Sequence, residues 1–316
     1  MLFRSSRGER PSGSSDVTVV VAEGQGTRRT AALALVAVTA VWGSTFGLSK
    51  DLITRLPVAD YLGPRYLVAA TVLLTVCPRL LRGMTPHTLK VGIGLGTLYA
   101  AAQLLQFHGL AHTAPTVSAF VVAMYVVFTP LLAATVPGRG VDRSTWLAVA
   151  VATAGVGVMS LRGWAFGGGE AMTLLAALLY AVHILALGRW ARAGEAFAVT
   201  FLQLATMGVL LTTVGAADGL TLPSRADLPT FAYLAVFAGT ITLLVQTWAQ
   251  GHLDSGQAAV LMVLEPVWAA VFGALLWHEA LGPRTLGGGA LVLAAMLMVV
   301  ARPAAEPLPE PPTSHA

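Results

Sequence analysis

A chain of 316 residues with 56% apolar types, 11% charged residues and a mean hydropathy of +0.74 cannot cover a globular surface with polar groups, since soluble domains carry about 25% charge. That excludes a water-soluble body and points to an integral membrane protein. The net charge of +4 is no argument for nucleic acid, because the basic residues sit in short loops and the N-terminal stretch, where they orient a chain in a bilayer. The lone Cys77 cannot form an internal disulfide, so it says nothing of redox compartment.

Residues 1–29 carry Arg4, Arg7, Arg10, Arg28 and Arg29 among Ser and Gly and read as a disordered cytoplasmic tail. The "RRT" before "AALALVAV" leaves a twin-arginine signal as the competing reading. Apolar runs of crossing length follow, roughly 20 residues being needed for each. In the first half they are Thr30–Leu52, Pro57–Cys77, Leu89–Leu110, Ala114–Val136 and Thr145–Leu161. In the second they are Ala171–Leu187, Phe197–Ala216, Leu228–Gln250, Gln257–Trp277 and Thr285–Ala301. Backbone groups in lipid must pair within their own segment, and no short alternating segments suggest a barrel, so the expected class is all-α with ten transmembrane helices. The Pro-rich residues 302–316 read as a second disordered cytoplasmic tail.

Lys and Arg placement sets the orientation. With the N-terminus inside, thirteen basic residues fall on or near the inner side and five on the outer, and Arg65 alone lies deep within a span. That bias puts both termini in the cytoplasm of a multi-pass inner (plasma) membrane protein. The halves also match in order at an offset near 140 residues. "VWGSTFGLSK" from Val41 aligns with "LYAVHILALG" from Leu179, and "RGVDRSTWLAVAVATAGVGVMSL" from Arg139 aligns with "EALGPRTLGGGALVLAAMLMVVA" from Glu279. Pro130 and Pro266 both sit within spans. A five-helix unit has an odd number of crossings, so its second copy must insert upside down, the inverted repeat of secondary transporters.

With "WGSTF" at Trp42–Phe46, "LEPVWAAVFGALLWHEAL" from Leu264 and a Gly-rich last helix, the chain resembles the EamA-type transporters of the drug/metabolite transporter superfamily. The resemblance covers most of the chain as two units, 30–161 and 170–301. It implies ten helices, a central cavity between the five-helix halves, and export or exchange of small metabolites or drugs. The acidic residue of the family's turn after its fourth helix is kept at Glu279, but Arg139 in the shorter "VPGRGVDR" takes that place in the first unit. Glu170 in "GGGEAM" opens the sixth helix where the family often has Asp.

The expected substrate-binding set is Trp42, Arg65, Gln103, Tyr125, Tyr180, His183, Gln203, Gln246 and Glu265. A carboxylate at the bilayer centre costs roughly 2.5–3.5 kcal/mol, so Glu265 should face a wet cavity or a cation, or serve as a buried hydrogen-bonding group between helices. Pro266 behind it removes a backbone donor and should free the carbonyl of Met262. Arg65 lies at a depth that allows pairing with Glu265, or it snorkels outward. Gln203 is its counterpart in the second half. Trp42 and Tyr180 occupy matching positions, suited to stacking on a substrate or to packing, and His183 suits either packing or proton transfer. Gln103 and Gln246 are expected to line the cavity, because an amide in lipid lacks partners.

Other patterns are dismissed. "HEALG" at His278–Gly282 lacks a second His for zinc, and "GIGLG" at Gly92–Gly96 lies within a span, as a close-packing surface rather than a nucleotide loop. His108 and His112 lack an acid or Cys to complete a metal site. No nucleophile with its base and no ATP motif is present. The reading is therefore a secondary transporter or exporter of amino acids or related metabolites, or of drugs, by alternating access. It needs no cofactor; its partners are a small-molecule substrate and the lipid bilayer, with proton coupling and oligomeric state left open. The alternatives are a membrane-embedded lipid-modifying enzyme, against which the short, acid-poor loops count, or a lipid scramblase.

Overall fold

The computed structural model describes residues 15–82, 84–134, 143–160, 167–191, 195–217, 219–250, 252–253 and 261–300. Arg139, Arg162, Arg192 and the tails 1–14 and 302–316 lie outside them. Among the described residues there is no strand. The helices are α1 (Ser15–Ile53), α2 (Val58–Val76), α3 (Pro86–His112), α4 (Pro115–Val122 and Tyr125–Ala133) and α5 (Arg143–Ser160). The second group is α6 (Gly168–Trp190), α7 (Ala196–Ala216), α8 (Leu228–Ala232, Tyr233–Ile241 and Thr242–Gln250), α9 (Leu264–Leu276) and α10 (Pro283–Val300). Helix α1 begins well before the expected Thr30, so residues 15–29 are helical rather than a featureless tail.

Among the described residues, seven helical stretches are long and apolar enough to cross a membrane: Gly26–Ile53, Pro86–His112, Pro115–Ala133, Gly168–Trp190, Ala196–Ala216, Leu228–Gln246 and Pro283–Val300. Helices α2, α5 and α9 are not among them; α2 carries Asp60 and Arg65, and α9 has 13 residues. Local signals set the helix starts. Pro86, Pro115 and Pro283 each stand at a first helical position, where the missing N–H would lack a partner anyway. Thr85 caps α3 in a reciprocal box with Thr88, and Glu170 puts a carboxylate in the first turn of α6.

Glycines set the helix crossings, as close approach is what joins helices when the surroundings are as apolar as the side chains. A Cβ added at Gly63 of α2 would run into the backbone nitrogen of Thr212 of α7, and one at Gly208 would lie 2.8 Å from that of Leu67. One at Gly215 would meet Asp60. Residues later in α2 thus meet residues earlier in α7, and the two helices are antiparallel. Helices α5 and α10 are also antiparallel, with Gly155 against Gly288 and Val158 against Arg284. In "GIGLG", Gly92 and Gly96 face Leu202, Gln203 and Thr206 of α7, while Gly94 faces open space. The expected close-packing surface is therefore present, with α7 as its partner.

Helix α1 packs on α8 and α9, and α6 packs on α3 and α4; α2 packs on α8, and α3 on α7. The main core, including Tyr61, Leu62, Phe107, Tyr180, Met207 and Leu234, draws on α2, α3, α6, α7 and α8 together. A second cluster joins α4, α5 and α10 through Phe120, Val127, Ala152, Val156 and Val292.

Candidate functional site

Two helical stretches are interrupted by a turn. Helix α4 breaks at Ala123–Met124 and resumes at Tyr125; α9 begins at Leu264 after a turn at Val263. The break recurs at the same place in each half of the chain. It puts Tyr125 and Glu265 in the first turn of a helix. Pro266 therefore falls in a first turn, where its missing donor removes nothing that was paired. The expected release of the Met262 carbonyl is replaced by a helix already broken one residue later.

Glu265 is half-buried and, among the described residues, has neither a hydrogen-bond nor an ion-pair partner. The pairing with Arg65 that depth allowed is not made. The Arg65 guanidinium donates from Nη1 to the hydroxyl of Tyr61 at 2.9 Å and from Nε to the carbonyl oxygen of Leu234 at 3.3 Å. It also lies 5.6 and 5.5 Å from the ring centroids of Tyr61 and Tyr66. Tyr61 sits one turn before Arg65 on α2 and reaches it along the same helix face. At 7% exposure Arg65 does not snorkel.

A set of tyrosines neighbours these charges. Tyr99 and Tyr180 are within electrostatic reach of both Arg65 and Glu265, and Tyr125 is within reach of Glu265. Tyr99 stacks on His183 at 4.8 Å between ring centroids and meets Tyr180 edge-on at 5.2 Å. The Tyr180 hydroxyl donates to Oε1 of Gln106. The hydroxyl of Tyr233 bonds that of Ser44, and Tyr61 bonds Ser49 at 2.8 Å. All six tyrosines of the chain are thus buried or half-buried between helices, none exposed as in an interfacial belt.

The amides and His183 gather on α3, α6 and α7. His183 Nε2 is hydrogen-bonded to Oε1 of Gln203, so two residues singled out in the sequence come together, although Gln203 does not play Arg65's part. Gln103, 8% exposed, keeps a buried Oε1 without a partner. Two expected residues sit elsewhere. Trp42 donates through Nε1 to Thr242 Oγ1 at 2.9 Å and to the carbonyl oxygen of Ala238 at 3.3 Å, holding α1 on α8. Gln246 donates to Sδ of Met262 at 3.8 Å, beside the break in α9.

Several residues of this cluster were not anticipated. Tyr99, Tyr61, Tyr66 and Gln106 belong to the site; Tyr99, Gln103 and Gln106 follow one face of α3, a spacing visible in the sequence. Four polar contacts join the first half of the chain to the second near the end of α1. Arg55 donates to Asp227 Oδ1 at 2.6 Å, and the Thr221 backbone N–H donates to Asp60 at 2.7 Å. Trp277 Nε1 donates to Asp51 at 2.9 Å, and Thr116 donates to Glu279 through Oγ1 at 2.9 Å and through its backbone N–H at 3.3 Å. The Ser224 hydroxyl and then Arg55 hold the Asp227 carboxyl below the usual aspartate range. Asp60, 2% exposed, is a charge within α2 beyond the two singled out above. Lys50 donates to the carbonyl oxygens of Leu110, Ala111 and Thr113, closing the C-terminal end of α3. Among the described residues no group of His, Cys, Asp and Glu could hold a metal ion.

The chain is 26% identical over 276 residues to an uncharacterized transporter of Archaeoglobus fulgidus (strain ATCC 49558 / DSM 4304 / JCM 9628 / NBRC 100126 / VC-16), a match covering 85% of each. A solved crystal structure matches its fold with a TM-score of 0.62 at 16% identity, over 85% of this chain and 96% of that one. The model of the EamA-like transporter family matches twice, over residues 29–161 and 167–301. With two copies of that unit filling most of a chain of apolar helices, this is a multi-pass membrane protein that belongs to the EamA-like transporter family.

Proposed function

We propose that the chain is a secondary transporter that moves a small metabolite, an amino acid or related compound, or a drug, by alternating access through a cavity between two inverted five-helix units. One observation carries this: a half-buried carboxylate at a helix break that has no partner among the described residues, in a core that also holds a buried guanidinium and tyrosines within electrostatic reach of both. A structural carboxylate in lipid would be expected to take a partner, since leaving a charge unpaired is costly. Glu265 has none among the described residues and is free to meet a cationic group of a substrate or a proton.

The neighbour pattern supports the inverted repeat. If α1–α5 and α6–α10 are equivalent, then α1 on α8 answers to α6 on α3, and α2 on α8 answers to α7 on α3. Equivalent helices α2 and α7 pack antiparallel, as do α5 and α10, which is what inversion requires. On this reading the polar contacts around Asp51 and Asp60 close one mouth of the cavity. Lys and Arg placement puts the termini in the cytoplasm and that mouth on the outer side.

The test begins with metabolite profiling of cells with and without the chain, followed by flux of the compounds found into vesicles under a proton gradient. Glu265→Gln should lower the flux and flatten its pH dependence. If uptake and pH response are both unchanged, Glu265 plays no part in transport.

A further inference from the structure

A groove separate from the tyrosine cluster runs between α3 and the end of α6, enclosing about 370 Å³. His87, Lys90 and Trp190 form its head, and Gly94, Leu95 and Leu98 its wall further along α3. His87 Nε2 is hydrogen-bonded to the carbonyl oxygen of Trp190 at 3.1 Å, which fixes the two helices at this point. Gly94 has nothing within 4 Å of where a Cβ would stand, so the groove is open at this point. Around it the outward residues Leu89, Ile93 and Ile184 are 45%, 44% and 40% exposed, a surface that only hydrocarbon can cover.

We infer that this groove binds one acyl chain of an anionic phospholipid, with the phosphate held at Lys90. Three features of the site agree. Lys90 is exposed and, among the described residues, has no hydrogen-bond or ion-pair partner, so its ammonium is free for a phosphate. Glu195 accepts from the Thr88 hydroxyl at 3.0 Å through Oε1 and keeps its Oε2 buried, away from the exposed Lys90, and Arg189 adds a second exposed cation one residue before Trp190. The head and wall are also separated by a fitting length. Lys90 and Leu98 stand eight residues apart, or about 12 Å along a helix, against about 15 Å for the hydrocarbon depth of one leaflet. Trp190, 51% exposed, stands where an indole favours the headgroup boundary. A zwitterionic phospholipid would fill the same wall but draw less on the cation. The inference rests on the chain lying in a bilayer and is independent of what it transports.

The full chain is placed in vesicles of phosphatidylcholine containing a small fraction of either phosphatidylglycerol or phosphatidylcholine with a photoreactive group on one acyl chain. After irradiation, cross-linked peptides are mapped by mass. Labelling should fall on residues 91–98 and 190, with phosphatidylglycerol ahead by about fivefold for one cation at the membrane surface. Lys90→Ala should abolish that lead. Gly94→Leu, which puts a side chain into open space and so leaves packing intact, should abolish labelling of this segment by both lipids. Equal labelling by the two lipids, a lead that survives Lys90→Ala, or labelling that survives Gly94→Leu overturns the assignment.

Discussion

Two adjacent glycines in α10 should respond oppositely to the same added methyl group. A Cβ at Gly288 would lie 2.6 Å from the carbonyl oxygen of Gly155 and 3.1 Å from the backbone nitrogen of Met159. These are main-chain atoms of α5 and cannot rotate away; α10 and α5 must separate, and the Gly155 side is as tight, with Gly288 O at 2.7 Å from a Cβ there. Overpacking of this kind costs about 1–3 kcal/mol. Gly287 has nothing within 4 Å, so Ala there meets no atom and recovers up to about 1 kcal/mol of helix propensity. Gly288→Ala gains the same propensity, so the overpacking alone separates the two, and Gly288→Ala should be the less stable by about 1–3 kcal/mol. The assay is unfolding of the purified full chain in mixed micelles of rising dodecyl sulfate fraction, followed by tryptophan fluorescence. Midpoints that shift together, or a Gly288→Ala midpoint above that of the parent, would refute the backbone-to-backbone crossing of α5 and α10.

The contacts near the end of α1 give two further expectations. The Asp227 carboxyl is held below its ordinary range, so its stabilising effect is complete above about pH 4 and is lost as pH falls through the lowered folded value. Asp227→Asn should lower the unfolding midpoint at pH 7, and the gap from the parent should close on acidification; a gap constant from pH 7 to pH 3 would contradict this. Glu279→Ala removes the acceptor of both Thr116 bonds and should cost about 1–3 kcal/mol in the same unfolding assay. In a Thr116→Val background the further loss from Glu279→Ala should be smaller, as expected for groups that bond each other.

Much of the architecture was legible because it is written in composition and period. Apolar runs gave the helices, and small residues at Gly92 and Gly96 gave a packing face. The residue types of the site were visible as well: polar groups in lipid are few, and His183, Gln203 and Gln103 stand out against their apolar neighbours. What the sequence left open was who meets whom. Arg65 and Glu265 were matched by depth alone, but depth carries no azimuth, and Tyr61 one turn away on the same helix reached Arg65 first. Asp60 and Lys50 sit at helix ends, where charge excites no suspicion, and their partners at Thr221 and Leu110 are distant in the chain. The break before Glu265 was read from Pro266 as one lost donor. The matching break at Ala123–Met124 precedes Pro130 by several residues, so the interruption is not simply where the proline is.

Helix α8 is wound with the wider π turn from Tyr233 to Ile241, and it meets the first half of the chain there through its main chain. Arg65 bonds the carbonyl oxygen of Leu234, and Trp42 that of Ala238. A carbonyl is present whichever side chain the codon specifies. Positions 234 and 238 can therefore drift among residues of similar bulk without loosening either anchor, while Arg65 and Trp42, which supply the donors, cannot. In descendants of this chain, change should accumulate on one side of that joint and be held still on the other.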